Sequence, residues 1–182
     1  MNGKTLIETE RLRLRSWRRS DAKEFERYCN TPKVIRWLDG VQTRAQLLDD
    51  VNYFITSERR DGVTFWVIER RSDNAFLGFC GLVRISSQNC PVAGELEIGW
   101  RLRSDVWCQG YAFEAATAVL IWAFEHLGAQ RVLSRAAAGN IASQALMQKL
   151  GMKPSPKLDY FDPWAEQLLK AYLVYAPATP KW

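Results

Sequence analysis

Histidine is nearly missing from this chain of 182 residues: His126 is the only one. That excludes those zinc sites that need two or more histidines, though not by count a four-cysteine site. The four cysteines, Cys29, Cys80, Cys90 and Cys108, show no CxxC spacing. The opening Met1-Asn2-Gly3-Lys4-Thr5-Leu6-Ile7-Glu8 lacks an apolar signal core. Together these point to free thiols in the cytoplasm rather than a disulfide framework. No apolar run approaches the length that spans a bilayer, so no membrane is expected as a partner. There is also no internal repeat and no low-complexity linker. The expected organisation is one domain over residues 1–182, long enough for a sizeable core.

What is present is the balance of an ordinary globular protein, 47% hydrophobic and 25% charged. A formal net charge of +5 can steer acidic ligands such as coenzyme phosphates or RNA. No aromatic-basic recognition motif accompanies it, so nucleic acid is not an expected partner and a solvated basic surface is the plainer account. The densest basic run, Arg11 to Arg19, alternates at period two and reads as a strand with one charged face.

Patterning along the chain predicts a first strand over Leu6 to Trp17 and a helix capped by Ser20-Asp21 through about Tyr28. A short helix from Thr31-Pro32 to Leu38 is expected next, ended by Asp39-Gly40. Thr43 caps a third helix through about Arg59, where Leu47, Leu48, Val51, Phe54 and Ile55 keep helical spacing. Thr64 to Arg70 and Phe76 to Ser86 read as strands around a Ser72-Asp73-Asn74 turn. Gln88 to Gly94 reads as a loop, and Glu95 to Leu102 alternates as a fourth strand. A helix over Gly110 to Leu127 stops at Gly128, a strand covers Arg131 to Ala136, and a helix covers Asn140 to Leu150. Lys157 to Phe161 and Leu168 to Ala176 complete the pattern as paired strands. The fold class is α/β of the α+β type: a mixed, mostly antiparallel sheet of about seven strands with helices on both faces.

Two blocks carry chemistry. The strand Glu95 to Leu102 runs into Trp107-Cys108-Gln109-Gly110-Tyr111-Ala112, a short turn that opens a long helix. A strand leading into the exposed amides of a helix start makes an anion site. Alone, this is also the pattern of any helix-opening turn. The second block, Asn140 to Met152, follows one helix and one strand later, and there Asn140 and Ser143 also have a simple capping role open to them.

With both blocks in place the chain resembles the GNAT superfamily of N-acetyltransferases, in its RimJ/RimL-like branch. The likeness covers nearly the whole chain, including Glu8-Thr9-Glu10-Arg11-Leu12-Arg13-Leu14-Arg15. The family's six-position coenzyme motif, Arg/Gln-x-x-Gly-x-Gly/Ala, falls on Trp107, Cys108, Gln109, Gly110, Tyr111 and Ala112. Cys108 stands where the branch mostly has glycine. The resemblance implies the GNAT fold, acetyl-CoA as co-substrate and no metal. It implies that Ile98, Trp100, Arg101 and Leu102 hold the pantetheine as another strand would, that Asn140 lies near its amides, and that Ser143 donates to the departing thiolate. Many relatives use a tyrosine further along that helix, where this chain has Met147.

Physically, a diphosphate needs backbone N–H groups of residues about 108 to 112, and Gly110 lets it come close. A hydrogen bond to a charged group contributes about 1.5–3 kcal/mol, against about 0.3–1 kcal/mol from the helix dipole. Loop shape therefore matters more than local charge. Alternation sets Glu95, Glu97 and Arg101 opposite Leu96, Ile98, Trp100 and Leu102. Burial of a carboxylate strengthens it as a base, so Glu97 is a candidate base; a salt bridge to Arg101 or Arg103 explains it equally well. His126, late in its helix, reads as a dipole-favoured surface histidine. Tyr28 and Trp37 fall in the region that borders the acceptor in relatives.

The resulting expectation is direct acetyl transfer to a primary amine, with a backbone amide of the fourth strand stabilising the oxyanion. A protein N-terminal amine suits a weak base, since its pKa is about 8 against about 10.4 for lysine, a difference of roughly 3 kcal/mol in deprotonation. Aminoglycosides and polyamines stay open as acceptors, as does an acyl-CoA-binding regulatory module without turnover. Monomer and homodimer are both compatible with the sequence.

Overall fold

The computed structural model describes residues 4–38, 40–85, 91–162 and 167–175. Among the described residues nine strands form one sheet: β1 (Thr5–Glu8), β2 (Leu12–Arg15), β3 (Phe65–Arg70), β4 (Phe76–Arg84), β5 (Leu96–Leu102), β6 (Arg131–Ala137), β7 (Lys153–Pro154), β8 (Tyr160–Asp162) and β9 (Gln167–Tyr175). Their order is β1-β2-β3-β4-β5-β6-β9-β7, with β8 on β9. Every pairing is antiparallel except β5 with β6.

Four α-helices among the described residues cover the sheet: α1 (Ala22–Cys29), α2 (Arg44–Asp61), α3 (Tyr111–His126) and α4 (Ile141–Lys149). Alternation along the strands sends apolar residues to both faces. Leu12, Leu14, Trp66, Ile68, Leu82 and Ile98 pack under Ala115, Ala116 and Val119 of α3 and Met147 of α4. On the opposite face Val67, Phe76 and Phe79 pack under Phe25 and Cys29 of α1 and Leu47, Val51 and Phe54 of α2. The mixed sheet with helices on both faces is thus the architecture found.

Local signals acted as expected where a single residue decides the geometry. Thr43 accepts the Gln46 N–H at the start of α2, and Asn140 accepts the Ser143 N–H at the start of α4. Five expectations need correction. Leu6 to Trp17 is a hairpin, not one strand: Thr9 turns the chain, its N–H donating to the Leu12 carbonyl at 2.9 Å. Period-two alternation reports faces and is blind to a reversal between them. The charged face expected of Arg11 to Arg19 is not solvated throughout: Arg11 and Arg19 are exposed, but Arg15 is 4% exposed and pairs with Asp21 and Glu69, both at 2.8 Å. Asp21 is spent there and on the Arg18 N–H, and does not cap α1. Thr31 to Leu38 forms turns rather than a helix, because Asn30 ties both ends of the segment together through two hydrogen bonds to the Gln42 backbone, at 2.8 and 3.0 Å. Residues 157–158 belong to a 3-10 turn, and the strand begins at Tyr160. Asp39, Ser86, residues 88–90 and Ala176, which carried parts of the expected elements, lie outside the described residues.

Candidate active site

Strand β5 has two unlike edges. The Ile85 N–H donates to the Glu95 carbonyl at 3.0 Å, and the Arg103 N–H to the Leu77 carbonyl at 2.9 Å. With the register Gly78↔Leu102 through Arg84↔Leu96, the odd-numbered residues of β5 bond to β4. Ile98, Trp100 and Leu102 then turn their N–H and C=O groups toward β6. Strand β6 meets this edge in a single register pair, Glu97↔Leu133, and beyond it the two strands part.

The apex of the opening is fastened by side chains. The Ser134 hydroxyl donates to the Ile98 carbonyl at 3.0 Å. Arg135 donates to both oxygens of Glu97, at 2.9 and 2.7 Å, and also bonds the Tyr160 hydroxyl. Glu97 is therefore ion-paired across the opening with Arg135, not with Arg101 or Arg103. The Trp107 indole donates to the Leu102 carbonyl at 2.8 Å. What faces the opening is the N–H and C=O of Trp100 and the N–H of Leu102. Arg101 stands apart: its backbone turns to β4, and its guanidinium lies 5.3 Å from the Phe79 ring centre and 5.5 Å from that of Phe25.

The free edge of β5 leads to the start of α3. Helices α2 and α4 have side-chain caps, but α3 opens on Gly110 without one. The Glu114 N–H is the one that bonds the Gly110 carbonyl, at 3.0 Å, so the N–H groups of Tyr111, Ala112 and Phe113 have no acceptor within the helix. Residues 107–110 are exposed. Cys108 and Gly110 both take left-handed backbone, with φ of 59° and 83°. Left-handed residues at alternate positions point successive N–H groups to one side and make an anion-binding concavity. Glycine adopts that conformation freely and cysteine does not, which accounts for the glycine that relatives carry at the position of Cys108.

Three residues not read from the sequence hold this loop. The Arg11 guanidinium donates to the Gln109 carbonyl at 3.0 Å, pairs with Glu114 at 2.6 Å and lies over the Tyr111 ring at 4.5 Å. The Thr9 hydroxyl and the Arg11 N–H also donate to Glu114, at 2.5 and 2.9 Å. Burial works against ionising Glu114, but these hydrogen bonds outweigh it and hold its carboxyl below the usual range. A carboxylate in the first turn of an uncapped helix was the only local sign. Its partners are a hundred residues away and left none.

Asn140 sits across the opening at the start of α4, where its side chain accepts the Ser143 N–H at 3.2 Å. Ser143 is half-buried. Met147 is 1% exposed in the core beneath α3, so the position where many relatives carry a tyrosine is packing here. A roof closes the other face. Lys33 lies 5.5 Å above the Trp107 ring. The Trp37 ring is pressed on Gly139, where a Cβ would fall 2.6 Å from two ring carbons. Residues 31–38 therefore cross the opening from the end of β5 to the end of β6. Tyr28 lies beside it, 3.5 Å beneath the Arg103 guanidinium, which is itself paired with Asp105 at 2.7 Å.

Other reactive groups lie elsewhere. Burial pushes the Cys29 thiol up to about 12. His126 stacks on Trp122 at the far end of α3. A groove of about 950 Å³ runs between β1 and α3, from Arg11, Gly110 and Glu114 at the start of that helix to Trp122 and His126 near its end. No helix among the described residues is long and apolar enough to cross a membrane.

This geometry has counterparts. Residues 11–153 match the Acetyltransferase (GNAT) domain family. The uncharacterized protein YkkB of Bacillus subtilis (strain 168) is 34% identical over 153 residues, 84% of this chain and 87% of that one. The uncharacterized N-acetyltransferase YnaD of the same strain is 25% identical, covering 81% and 82%. An acetyltransferase structure from Agrobacterium tumefaciens str. C58 superposes with a TM-score of 0.78 at 26% identity, over 94% and 95% of the two chains. RimL, the ribosomal L7/L12 alpha-N-protein acetyltransferase, solved in complex with coenzyme A, superposes with a TM-score of 0.77 at 15% identity, over 94% and 98%. The chain belongs to the GNAT acetyltransferase family and is an N-acetyltransferase.

Proposed function

We propose that the protein transfers an acetyl group directly from acetyl-CoA to a primary amine in the opening between β5 and β6. One observation carries this reading: the unpaired edge of β5 ends at the uncapped, exposed start of α3. A diphosphate on the amides of residues 108 to 112 leaves the pantetheine free to run back along Trp100 and Leu102, as a further strand would. Ile98 contributes at the apex, Trp107 and Gln109 through the shape of the loop, and Asn140 from the facing corner. The thioester then lies near the Trp100 N–H, which can stabilise the oxyanion.

Both oxygens of Glu97 are engaged by Arg135. The acceptor ammonium therefore loses its proton to Glu97 through a water, or once the pair opens. Ser143 or water returns a proton to the thiolate. The acceptor that best suits such an indirect base is an N-terminal α-amine of a protein, because it deprotonates about 3 kcal/mol more readily than lysine.

A second reading keeps coenzyme binding and drops turnover. It draws on Met147 filling the core and on the occupied Glu97, which leave few groups to move protons. Titration of acetyl-CoA followed by an assay of thiol release against a panel of amines separates the two. Binding with release of free thiol upholds the transferase, and tight binding with none for any amine upholds the module.

A further inference from the structure

We propose that the acceptor is an amine with an anionic group beside it, an acidic peptide N-terminus or its free amino-acid equivalent, selected by Lys33 and Arg36 on the roof of the opening. The inference rests on the proposed function in one respect: the parted strands are taken as the place of transfer. Coenzyme anchored at α3 and α4 occupies one face of the sheet. The acceptor must then arrive from the other face, past residues 31–38.

That segment carries two charges, both positive, on Lys33 and Arg36, and both side chains are exposed. Neither forms an ion pair among the described residues. Each is instead placed against an indole, Lys33 at 5.5 Å from the Trp107 ring centre and Arg36 at 5.0 Å from that of Trp37. Such a contact fixes a cation without neutralising it. The two indoles are the ones that end the roof at β5 and β6, so the charges stand at both sides of the entrance.

Two of the other cations nearby are already matched. Arg103 is matched by Asp105 and Arg135 by Glu97. Asp39, the one acidic residue between Asn30 and Thr43, lies outside the described residues. An entrance with two unneutralised cations attracts a carboxylate and repels a polyamine or aminoglycoside.

Binding of labelled peptides to the intact, coenzyme A-saturated protein tests this without requiring turnover. Two peptides of equal length begin with serine, one continuing with aspartate and glutamate, the other with lysine and arginine. The acidic peptide is expected to bind at least about tenfold more tightly at low salt. The preference should shrink as salt rises, because exposed charges are screened. Charge reversal at both positions, Lys33→Glu with Arg36→Glu, should abolish or invert the ratio. Free glutamate competing as well as the peptide would identify the small molecule as the source, and competition by the peptide alone would identify the polypeptide; either upholds the inference. Equal binding, tighter binding of the basic peptide or of spermidine, or a ratio unmoved by the double reversal would overturn it. Acidic-peptide binding without acetyl transfer to any amine would instead sink the proposed function, and would leave Lys33 and Arg36 as an acidic-peptide site rather than an acceptor selector.

Discussion

The two edges of β5 differ more than their sequence does. Toward β4 the strand is zipped through seven register pairs, Gly78↔Leu102 to Arg84↔Leu96. Toward β6 it has one, and side chains from Ser134, Arg135 and Trp107 do the fastening. Alternate residues thus divide the work: the odd-numbered ones build the sheet on one side, and Trp100 and Leu102 present unused backbone groups on the other. A strand edge left open at the core of a fold is a cost unless something fills it, since buried N–H and C=O groups require partners. Here the open edge ends at an uncapped helix, and the two features explain each other if one extended, diphosphate-bearing ligand satisfies both.

The strongest way to break this comparison is to block the joint between the two features. Gly110→Trp puts a bulky side chain on left-handed backbone, where a Cβ already lies 3.3 Å from the Arg11 guanidinium. Acetyl-CoA affinity should fall by at least about a hundredfold, since several charge-assisted hydrogen bonds of about 1.5–3 kcal/mol each are lost. Circular dichroism should be unchanged, because the loop is exposed. Retained affinity would mean that the ligand is held elsewhere.

Glu97→Gln probes the fastened apex. If Glu97 moves the acceptor proton, kcat falls by about a hundredfold or more, and the loss is greatest at low pH, where more of the amine is protonated. A loss that is flat across pH would assign Glu97 to holding β6 through Arg135. A smaller effect is expected from Ser134→Ala, which strips the Ile98 carbonyl of its buried partner and should cost about 1–3 kcal/mol in chemical denaturation. Coenzyme affinity should drop with it as the apex loosens. Cys108→Gly should have the smallest effect and the opposite sign. A non-glycine residue with φ of 59° bears roughly 1–2 kcal/mol of strain, so the glycine variant should melt slightly higher and bind acetyl-CoA at least as well.

Much of this was legible in the sequence, for definite reasons. Thr43, Gly110 and Asn140 each decide a helix end by their own chemistry, so their roles could be read in place. The alternation of β5 gave its two faces, and Glu97 fell opposite Ile98 as expected. Which edge each residue addressed was not readable, because edge parity follows from the register with β4, a tertiary fact. The partner of Glu97 was missed for the same reason: Arg135 comes close only through the parallel contact of β5 with β6. Arg11, Thr9 and Glu114 join a hairpin turn to a helix start across the whole sheet. The segment 31–38 looked helical by its caps, yet the clamp of Asn30 on Gln42 shaped it as a roof.

Amide hydrogen exchange with and without coenzyme A tests the central claim most directly. The account predicts new protection at Gln109, Gly110, Tyr111 and Ala112 of the loop and at Trp100 and Leu102 of β5, with the β4-bonded amides of Gly99 and Arg101 unchanged. Protection confined to other regions, such as the Ile121 and Trp122 end of the groove between β1 and α3, with the loop and the free edge of β5 exchanging as before, would contradict it.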